Sequence, residues 1–340
     1  MTITRMNFIR IFYGLSFLAA LYKVRELFVT DLSFKLSFPS MPGFDKKSEQ
    51  SPFVMMMPVL FVFLWSTGFI GAKLGLPYVE PMTFLFMRFA ICVALFLPLV
   101  FFTRTRWPEQ PMDWFHIAFS GLLMHGGYLG FVFWAISLGV PAGTSALIVG
   151  IQPLVVASLA GLLLSETVVP RQWAGLLLGL CGVFLVVFDK LSLGEGSITG
   201  IGMCFVALFC ISMGTLYQKK YCATMSLKSG NLIQFFVATV YFGIMAWFLE
   251  DGTVEWSGEL IFALGWLIVI LSLGAVSLLY ILLQRGGAAS VSSLFYLVPP
   301  CTAVVAYLLF DETLGTYSFS GMVVAIAGVA LVNVKFGKPR

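Results

Sequence analysis

The sequence predicts an all-α integral membrane protein whose ten transmembrane helices form two inverted five-helix repeats. Three observations predict this class: the composition, ten apolar runs and an internal repeat. Of the 340 residues, 59% are hydrophobic and 11% are charged, whereas an average soluble domain is about 25% charged. A soluble protein of this composition would expose too much apolar surface to stay dispersed. The composition thus excludes a soluble enzyme and a protein whose main function is nucleic-acid binding.

Ten apolar runs have the length of transmembrane helices. A bilayer core of about 30 Å requires roughly 20 apolar residues per helix. The predicted spans are 53–72, 81–102, 114–137, 142–164, 172–188, 198–218, 232–249, 260–283, 288–310 and 316–334. Because only short loops separate these spans, any binding chemistry must lie inside the helix bundle.

Lysine and arginine residues set the expected orientation. With the N-terminus inside, 17 of the 20 Lys and Arg residues fall in cytoplasmic segments, and the outer loops hold only Lys73 and Lys190. These residue types collect on the cytoplasmic side of multi-pass proteins. We therefore expect both termini to lie in the cytoplasm.

Residues 1–51 fall outside the pattern of spans. Residues 6–22 are apolar, but they are short and are interrupted by Arg10. Two interpretations stay open: an interfacial amphipathic helix flanked by basic residues, or an extension that precedes the native start near Met55. The predicted domains are an N-terminal extension over 1–51, a first repeat over 52–188 and a second repeat over 198–335.

The two halves of the chain align without a gap at an offset of 146 residues. In this register Pro153 meets Pro299, and residues 163–186 share eight identities with residues 309–332. Composition alone would give roughly two or three. Since each unit holds five spans, the second copy must enter the membrane from the opposite side. Inverted repeats are typical of secondary transporters, which use them to expose one central site to each side in turn.

Three short motifs stand out from the apolar background. They are FLWSTGFIGAKLGLPYVEP at 63–81, and the paired LLSET and LFDET, which begin at Leu163 and Leu309 and each lead into a Gly-rich helix. With these motifs the chain resembles the EamA-type ten-helix members of the drug/metabolite transporter superfamily over about residues 55–335. The resemblance implies a bacterial inner-membrane carrier that exports metabolites, amino acids or drugs. It also implies a central cavity lined mainly by helices one, three and four and their repeat partners.

Arg88 is the only charged residue well inside a predicted span, about 10 Å into its helix at 1.5 Å per residue. An uncompensated charge at this depth costs at least about 2.5 kcal/mol, so the side chain must face the bundle or water. We interpret Arg88 as the docking point for a substrate carboxylate or phosphate. The alternatives are snorkelling to the outer interface and structural pairing with carbonyl groups. Its repeat partner, Gln234, is polar but uncharged.

His125 lies at the midpoint of the third span, with Tyr128 one turn further on. Transporters place their sites near the bilayer midplane, and imidazole titrates near physiological pH. We expect both side chains to contact substrate, and a purely structural hydrogen bond of His125 is the alternative. Because no carboxylate lies clearly inside a span, the sequence predicts facilitated exchange or proton coupling through His125, without sodium dependence.

Prolines lie at the centres of the fourth and ninth spans. Proline removes a backbone donor and bends a helix, which frees carbonyl groups next to a cavity. Since the repeat keeps proline at both places, we predict that Pro153 and Pro299 are hinges, and a fixed kink is the alternative. Gln152, beside Pro153, is expected to offer its amide to substrate.

Four further residues complete the predicted binding site. Trp65 is the best aromatic candidate, because Ser66 beside it belongs to a thin polar face. Tyr280 and Tyr296 are aromatic residues within the eighth and ninth spans. Most other aromatic residues of such a chain simply face lipid or pack.

Small residues recur on the fifth and tenth spans and allow close helix approach. They are Gly175, Gly179 and Gly182 on the fifth span and Gly321, Ala325 and Gly328 on the tenth. In the resembled superfamily the last helix has been proposed as a dimer contact. A homodimer and packing within one chain both account for this pattern.

Glu166 and Glu312 occupy equivalent positions at the membrane edge, one predicted inside and the other outside. We expect a structural role, with Ser165 or Asp311 capping the next short turn. Gating is the alternative.

The leading functional hypothesis is a secondary carrier for small organic metabolites that works by alternating access. A channel or membrane scaffold is one alternative, and an intramembrane enzyme is another. The chain has only two histidines and none of the patterns HExxH, GxSxG or P-loop. We therefore expect no catalytic residues, no cofactor and no metal. The expected partners are a small-molecule substrate, the lipid bilayer and a second copy of the chain, but not nucleic acid.

Overall fold

The computed structural model describes residues 52–103, 105–140, 142–188, 198–310 and 316–333. Every regular element among these residues is helical. Contacts divide the chain into two units, one formed by 58–304 with 314–340 and the other by 1–57 with 305–313. All contacts reported below lie within the first unit. The predicted N-terminal extension lies outside the described residues.

Seven α-helices and one π-helix form the first predicted repeat. They are α1 (Pro52–Gly75), α2 (Pro81–Phe102), α3 (Pro111–Gly121), a π-helix (Leu122–Gly127), α4 (Tyr128–Ser137), α5 (Ala142–Val149), α6 (Gln152–Leu164) and α7 (Pro170–Phe188). Prolines begin four of these helices, at Pro52, Pro81, Pro111 and Pro170. The first turn of a helix tolerates proline because its N–H groups have no partner within the helix.

The second predicted repeat has a similar succession of helices, with an additional 3₁₀ helix in its ninth span. They are α8 (Ile198–Tyr221), α9 (Leu227–Leu249), α10 (Gly258–Trp266), a π-helix (Leu267–Ala275), α11 (Val276–Arg285), α12 (Ala288–Ser293), a 3₁₀ helix (Leu294–Leu297), α13 (Val298–Phe310) and α14 (Thr316–Asn333). Ser257 caps α10, because its side chain accepts a hydrogen bond of 3.1 Å from the N–H of Leu260. This cap begins the eighth span directly after the loop that contains Glu250, Asp251 and Glu255.

Among the described residues, eight helices are long and apolar enough to cross a membrane. Two shorter apolar helices, Met56–Gly68 and Pro170–Val186, lie where the first and fifth spans are predicted. Large apolar side chains cover the outer surface, and Phe101, Phe102 and Trp247 are each more than four-fifths exposed. Such surfaces are typical of a membrane interface. The all-helical membrane class is confirmed, and the count of ten spans stays a prediction.

Two π-helices interrupt the third and eighth spans at equivalent places in the repeat. The stretches Leu122–Gly127 and Leu267–Ala275 overlap when the chain is shifted by 146 residues. π-Helices are rare and are frequently found at functional sites. No residue pattern in the sequence predicts them.

The fourth and ninth spans are also interrupted. The fourth breaks at Gly150 and Ile151, and Pro153 lies in the first turn of the helix that follows. The ninth passes through the 3₁₀ helix Leu294–Leu297, and Pro299 lies in the first turn of α13. Both predicted hinge prolines therefore stand at helix interruptions, where their missing N–H is tolerated. Movement about them stays a prediction.

The small residues of the fifth and tenth spans face each other. A Cβ atom added to Gly182 would lie 2.4 Å from the backbone nitrogen of Ala325. One added to Gly321 would lie 2.6 Å from the backbone nitrogen of Val186. Helices α7 and α14 thus pack backbone against backbone within the chain, and a homodimer would have to use another surface.

Candidate functional site

A small cavity lies where residues of the two predicted repeats meet. Trp65, Arg88 and His125 line it from the first repeat, and Leu271 and Val276 line it from the second. Its volume is about 40 Å³. Because a water molecule needs roughly 10–15 Å³ of such space, the cavity has room for only a few waters. A metabolite requires the surrounding helices to move apart.

Arg88 brings a positive charge to this cavity. The side chain is only 1% exposed, and its Nε donates a hydrogen bond of 3.0 Å to the hydroxyl oxygen of Ser272. Its Nη1 is buried and has no hydrogen-bond partner among the described residues. Within that same part of the chain, Arg88 is the only Lys, Arg, Asp or Glu that is buried. The guanidinium therefore points into the bundle and does not snorkel to the interface.

The start of α2, the helix that carries Arg88, is fixed by a carboxylate from the end of α9. Glu250 accepts hydrogen bonds of 2.7 Å from the backbone N–H groups of both Met82 and Thr83. It also accepts one of 2.8 Å from the Thr83 hydroxyl. A carboxylate at a helix N-terminus satisfies free donors and complements the helix dipole. This cap holds α2 in position about two turns before Arg88.

His125 joins a chain of buried polar groups. The Tyr280 hydroxyl donates to Oε1 of Gln234 at 2.5 Å, and its oxygen lies 3.3 Å from Nε2 of His125. Since the tyrosine proton is used on Gln234, the tyrosine oxygen accepts from an Nε2–H of the imidazole. The chain continues from Nε2 of Gln234 to Oε1 of Gln218 at 2.9 Å, which also accepts from Ser120 at 2.7 Å.

Aromatic rings fix the imidazole from two sides. The centroids of Phe89 and Phe235 lie 5.2 and 5.3 Å from that of His125. Phe89 in turn stacks on Phe242 at 5.8 Å with an angle of 7° between the rings. His125 is 3% exposed, so its ring is held between the cavity and a packed aromatic core.

Four of the predicted substrate-binding residues line the cavity: Trp65, Arg88, His125 and Tyr128. A fifth, Tyr280, contacts His125 through the hydrogen bond described above. The structure thus brings these five side chains together. Their role in binding stays a prediction.

The other predicted binding residues lie elsewhere. Ser66 donates to the carbonyl oxygens of Val62 at 2.6 Å and Val298 at 3.3 Å, so it connects α1 to α13. Gln152 donates to Thr215 at 3.3 Å. Tyr296 packs its ring against Gly179, where an added Cβ would lie 2.5 Å from the ring. None of the three is among the described residues that line the cavity.

Three polar residues of the site were missed. Ser272 holds Arg88, and Gln218 and Gln234 carry the polar chain beyond Tyr280. Polar side chains inside an apolar span are rare and usually face the bundle interior. That signal was available for Gln218 and Gln234. Ser272 gives no such signal, because a serine is easily accommodated within a helix.

Glu166 is placed differently from what was expected. Its Oε2 accepts a hydrogen bond of 2.9 Å from the backbone N–H of Ala288, at the start of α12. Ser165 caps no following turn, because it is the left-handed residue, with φ of 56°, that ends α6. Glu166 itself therefore does the capping, and Glu312 and Asp311 lie outside the described residues.

Together these observations define a multi-pass helical membrane protein with an internal repeat and a buried, positively charged cavity. Among the residues the structure describes, no cluster of His, Cys, Asp and Glu is arranged to hold a metal ion. The model of the EamA-like transporter family matches residues 52–188 and again residues 198–334. The chain therefore belongs to the EamA-like transporter family, which confirms the resemblance seen in its motifs, and it is a membrane transporter.

Curated relatives agree with this assignment. The chain is 27% identical over 289 residues to a "probable amino-acid metabolite efflux pump" of Escherichia coli (strain K12), covering 82% of this chain and 94% of that protein. It is 28% identical over 286 residues to an "uncharacterized transporter" of Archaeoglobus fulgidus, covering 82% and 97%. A solved crystal structure matches with a TM-score of 0.69 at 18% identity, covering 82% of this chain and 96% of that chain. The structural match shows a shared fold.

Proposed function

We propose that this protein is a secondary transporter that exports small organic metabolites, amino acids or drugs by alternating access across a bacterial inner membrane. The observation that carries the proposal is the buried guanidinium of Arg88, which faces a cavity where the two repeats meet. Burial of this charge is costly unless a ligand or water uses it. In an otherwise apolar bundle, such a cavity is the natural place for a substrate.

The proposal includes ten spans in two inverted repeats, with both termini in the cytoplasm. Its support is the equal spacing of the motifs and the pair of π-helices at repeat-related positions. An alternating-access carrier encloses its site between repeats that move against each other. A cavity of about 40 Å³ between the repeats supports a localised site, whereas a channel needs a continuous pore.

Export is the proposed direction of transport. Its support is the printed description of two relatives, from Escherichia coli and Salmonella typhimurium, as probable amino-acid metabolite efflux pumps. The motifs are common to the family and do not identify the compound. The substrate class must therefore come from the chemistry of the site.

Two linked measurements test the proposed function. Metabolites released by cells with and without the protein are compared, and each enriched compound is then loaded into proteoliposomes that hold the purified protein. We expect the loaded compound to accelerate uptake of its own labelled form, since counterflow requires a site exposed alternately to each side. Uptake that is unaffected by the internal compound would favour a channel. No enriched compound and no uptake would favour a scaffold.

A further inference from the structure

We propose that the cavity at Arg88 selects a substrate with a single negative charge and an apolar body, namely a small monocarboxylate, over a zwitterionic amino acid. This proposal rests on the proposed function and names the substrate class of the same site. It rests on the positive charge of Arg88 in the cavity lining and on the lack of Asp or Glu among the described lining residues.

Among its described lining residues, the cavity offers one positive charge and no negative one. Arg88 lines it, and none of the described lining residues is Asp or Glu. The Nη1 group of Arg88 is buried without a hydrogen-bond partner, and Nε is occupied by Ser272. A carboxylate placed at Nη1 would satisfy a free donor and neutralise the buried charge in one contact.

An amino acid would also bring an ammonium group into the cavity. This group carries three donors and needs acceptors or a countercharge when it leaves water. The lining offers the hydroxyl of Tyr128 and aromatic faces, but no carboxylate among its described residues. We therefore expect a zwitterion to bind about tenfold or more weakly than a carboxylic acid of the same shape.

The apolar walls of the cavity determine which substrate body is favoured. Trp65, Tyr128 and Phe133 provide aromatic surfaces, and Met124, Leu129 and Leu271 provide aliphatic ones. Such walls favour an aryl or branched alkyl body.

A phosphate monoester carries a charge between about −1.5 and −2 at neutral pH. Because Arg88 is the only buried arginine or lysine that the structure describes, the second negative charge would stay uncompensated.

Four probes that share a phenyl ring and differ in charge test the preference for a single negative charge. They are phenylacetate, L-phenylalanine, phenethylamine and phenyl phosphate. Each is titrated into the full-length protein in lipid nanodiscs, with tryptophan fluorescence as the readout because Trp65 lines the cavity. We expect phenylacetate to bind at least about tenfold more tightly than the other three. Isovalerate, a branched carboxylate without a ring, is expected to compete with it.

Three variants connect the preference to one side chain. Arg88→Gln is expected to weaken phenylacetate binding at least about tenfold and to remove most of the preference for phenylacetate over L-phenylalanine. Arg88→Lys keeps the charge but loses the planar donors, so its affinity should fall in between. Arg285→Gln is the matched control, since Arg285 is exposed at the end of α11, and it should bind like wild type.

The outcomes separate this inference from the proposed function. The inference is overturned if L-phenylalanine binds as well as phenylacetate, if neither carboxylate binds, or if Arg88→Lys and Arg88→Gln both bind phenylacetate like wild type. If phenylacetate binds in the expected order but shows no counterflow, the inference stands and the transport function fails. If zwitterions alone show counterflow, the transport function stands and the inference fails.

Discussion

Arg88 stays charged in an apolar interior because several modest contacts offset part of its burial. The hydrogen bond to Ser272 is 3.0 Å long, and hydrogen bonds of charged groups contribute about 1.5–3 kcal/mol. The guanidinium carbon lies 5.2 Å from the centroid of the Phe89 ring, which adds about 0.5–2 kcal/mol through its π electrons. The free Nη1 group is the part that remains unsatisfied. Because burial of the Arg88 charge is only partly offset, we expect this side chain to bind substrate.

The sequence predicts facilitated exchange or proton coupling, and for proton coupling we propose His125 as the residue through which a pH gradient acts on transport. In His125→Gln an amide donor can still reach Tyr280, but the group no longer titrates. We expect counterflow at equal pH to continue and acceleration by a pH gradient to disappear. The measurement is export from proteoliposomes with and without the gradient.

Tyr280→Phe is the matched control for that experiment. It removes the hydrogen bonds to His125 and Gln234 but keeps the imidazole, so acceleration by the gradient should persist. Undiminished gradient-driven export by His125→Gln would remove His125 as the coupling group and would favour facilitated exchange.

The positions of helices could be predicted from the sequence far better than the faces that they present. Depth within a span placed Arg88, His125 and Tyr128 correctly near the cavity. The rotation of each helix about its axis could not be predicted, and Ser66 and Gln152 contact residues outside the cavity lining. A helix that is apolar all round has no periodic signal for its inward face. Which neighbour a side chain meets therefore required the structure.

The paired π-helices are the elements that no residue pattern revealed. A π-helix holds an extra residue relative to an α-helix, and apolar runs carry no mark of it. Deletion of Leu123 from the π-helix Leu122–Gly127 should therefore restore α-helical geometry and keep the register of α4. We expect a folded protein with strongly reduced counterflow, if the π-helix is needed for movement. Size-exclusion profiles and melting temperatures report the folding.

Deletion of Phe131, within α4 (Tyr128–Ser137), is the control for the π-helix. There the loss of one residue turns the rest of the helix by about 100°, so the protein should misfold. Equal damage from the Leu123 and Phe131 deletions would show that the π-helix does not absorb a residue. Full transport after the Leu123 deletion would show that the π-helix is dispensable.

The contact between α7 and α14 depends on the absence of side chains at its glycines. In Gly182→Ala the new Cβ would lie 2.4 Å from a backbone nitrogen, so the two helices must separate. We expect a loss of roughly 1–3 kcal/mol of stability, measured as a lower melting temperature in detergent. Gly202→Ala is the control, because nothing lies within 4 Å of its Cβ position, and it should be neutral or stabilising. A Gly182→Ala variant that melts like wild type would show that α7 and α14 accommodate the added methyl group without losing stability.

At the scale of the whole molecule, π-helices recur at equivalent places in the two halves, but the polar groups of the two halves differ. Arg88 and Gln234 occupy equivalent positions. Gln234 is engaged by Tyr280 and Gln218, whereas Arg88 lines the cavity and its buried Nη1 has no hydrogen-bond partner among the described residues. The second half thus supplies a hydrogen-bonded polar chain, and the first half supplies Arg88, the proposed binding group. One charge at the centre suits a carrier, because the same group serves both orientations of the site.

A pair of side chains holds the turn between α11 and α12, which the predicted orientation places in the cytoplasm. Glu166 accepts from the backbone N–H of Ala288 at 2.9 Å. Lys219 donates to the carbonyl oxygens of Leu283, at 2.7 Å, and Gly286. These contacts tie the end of the fourth span and the end of the sixth to the turn between the eighth and ninth. Closure of the cytoplasmic side is therefore expected to depend on them.

Loss of the Glu166 carboxylate should open the cavity toward the cytoplasm. In a variant without the six native cysteines, Met124→Cys places a thiol in the cavity lining, and an impermeant maleimide is added to inside-out vesicles. With Glu166→Ala we expect labelling from the cytoplasmic side to become several-fold faster, because α12 loses its cap. Labelling from the outer side should slow or stay the same.

Glu109→Ala is the matched control, since Glu109 is an exposed carboxylate on the same predicted side, and its labelling rate should equal that of the parent. Equal rates in the Glu166 and Glu109 variants would show that the contact with Ala288 stabilises the fold without controlling access, and faster labelling from the outer side would reverse the predicted orientation.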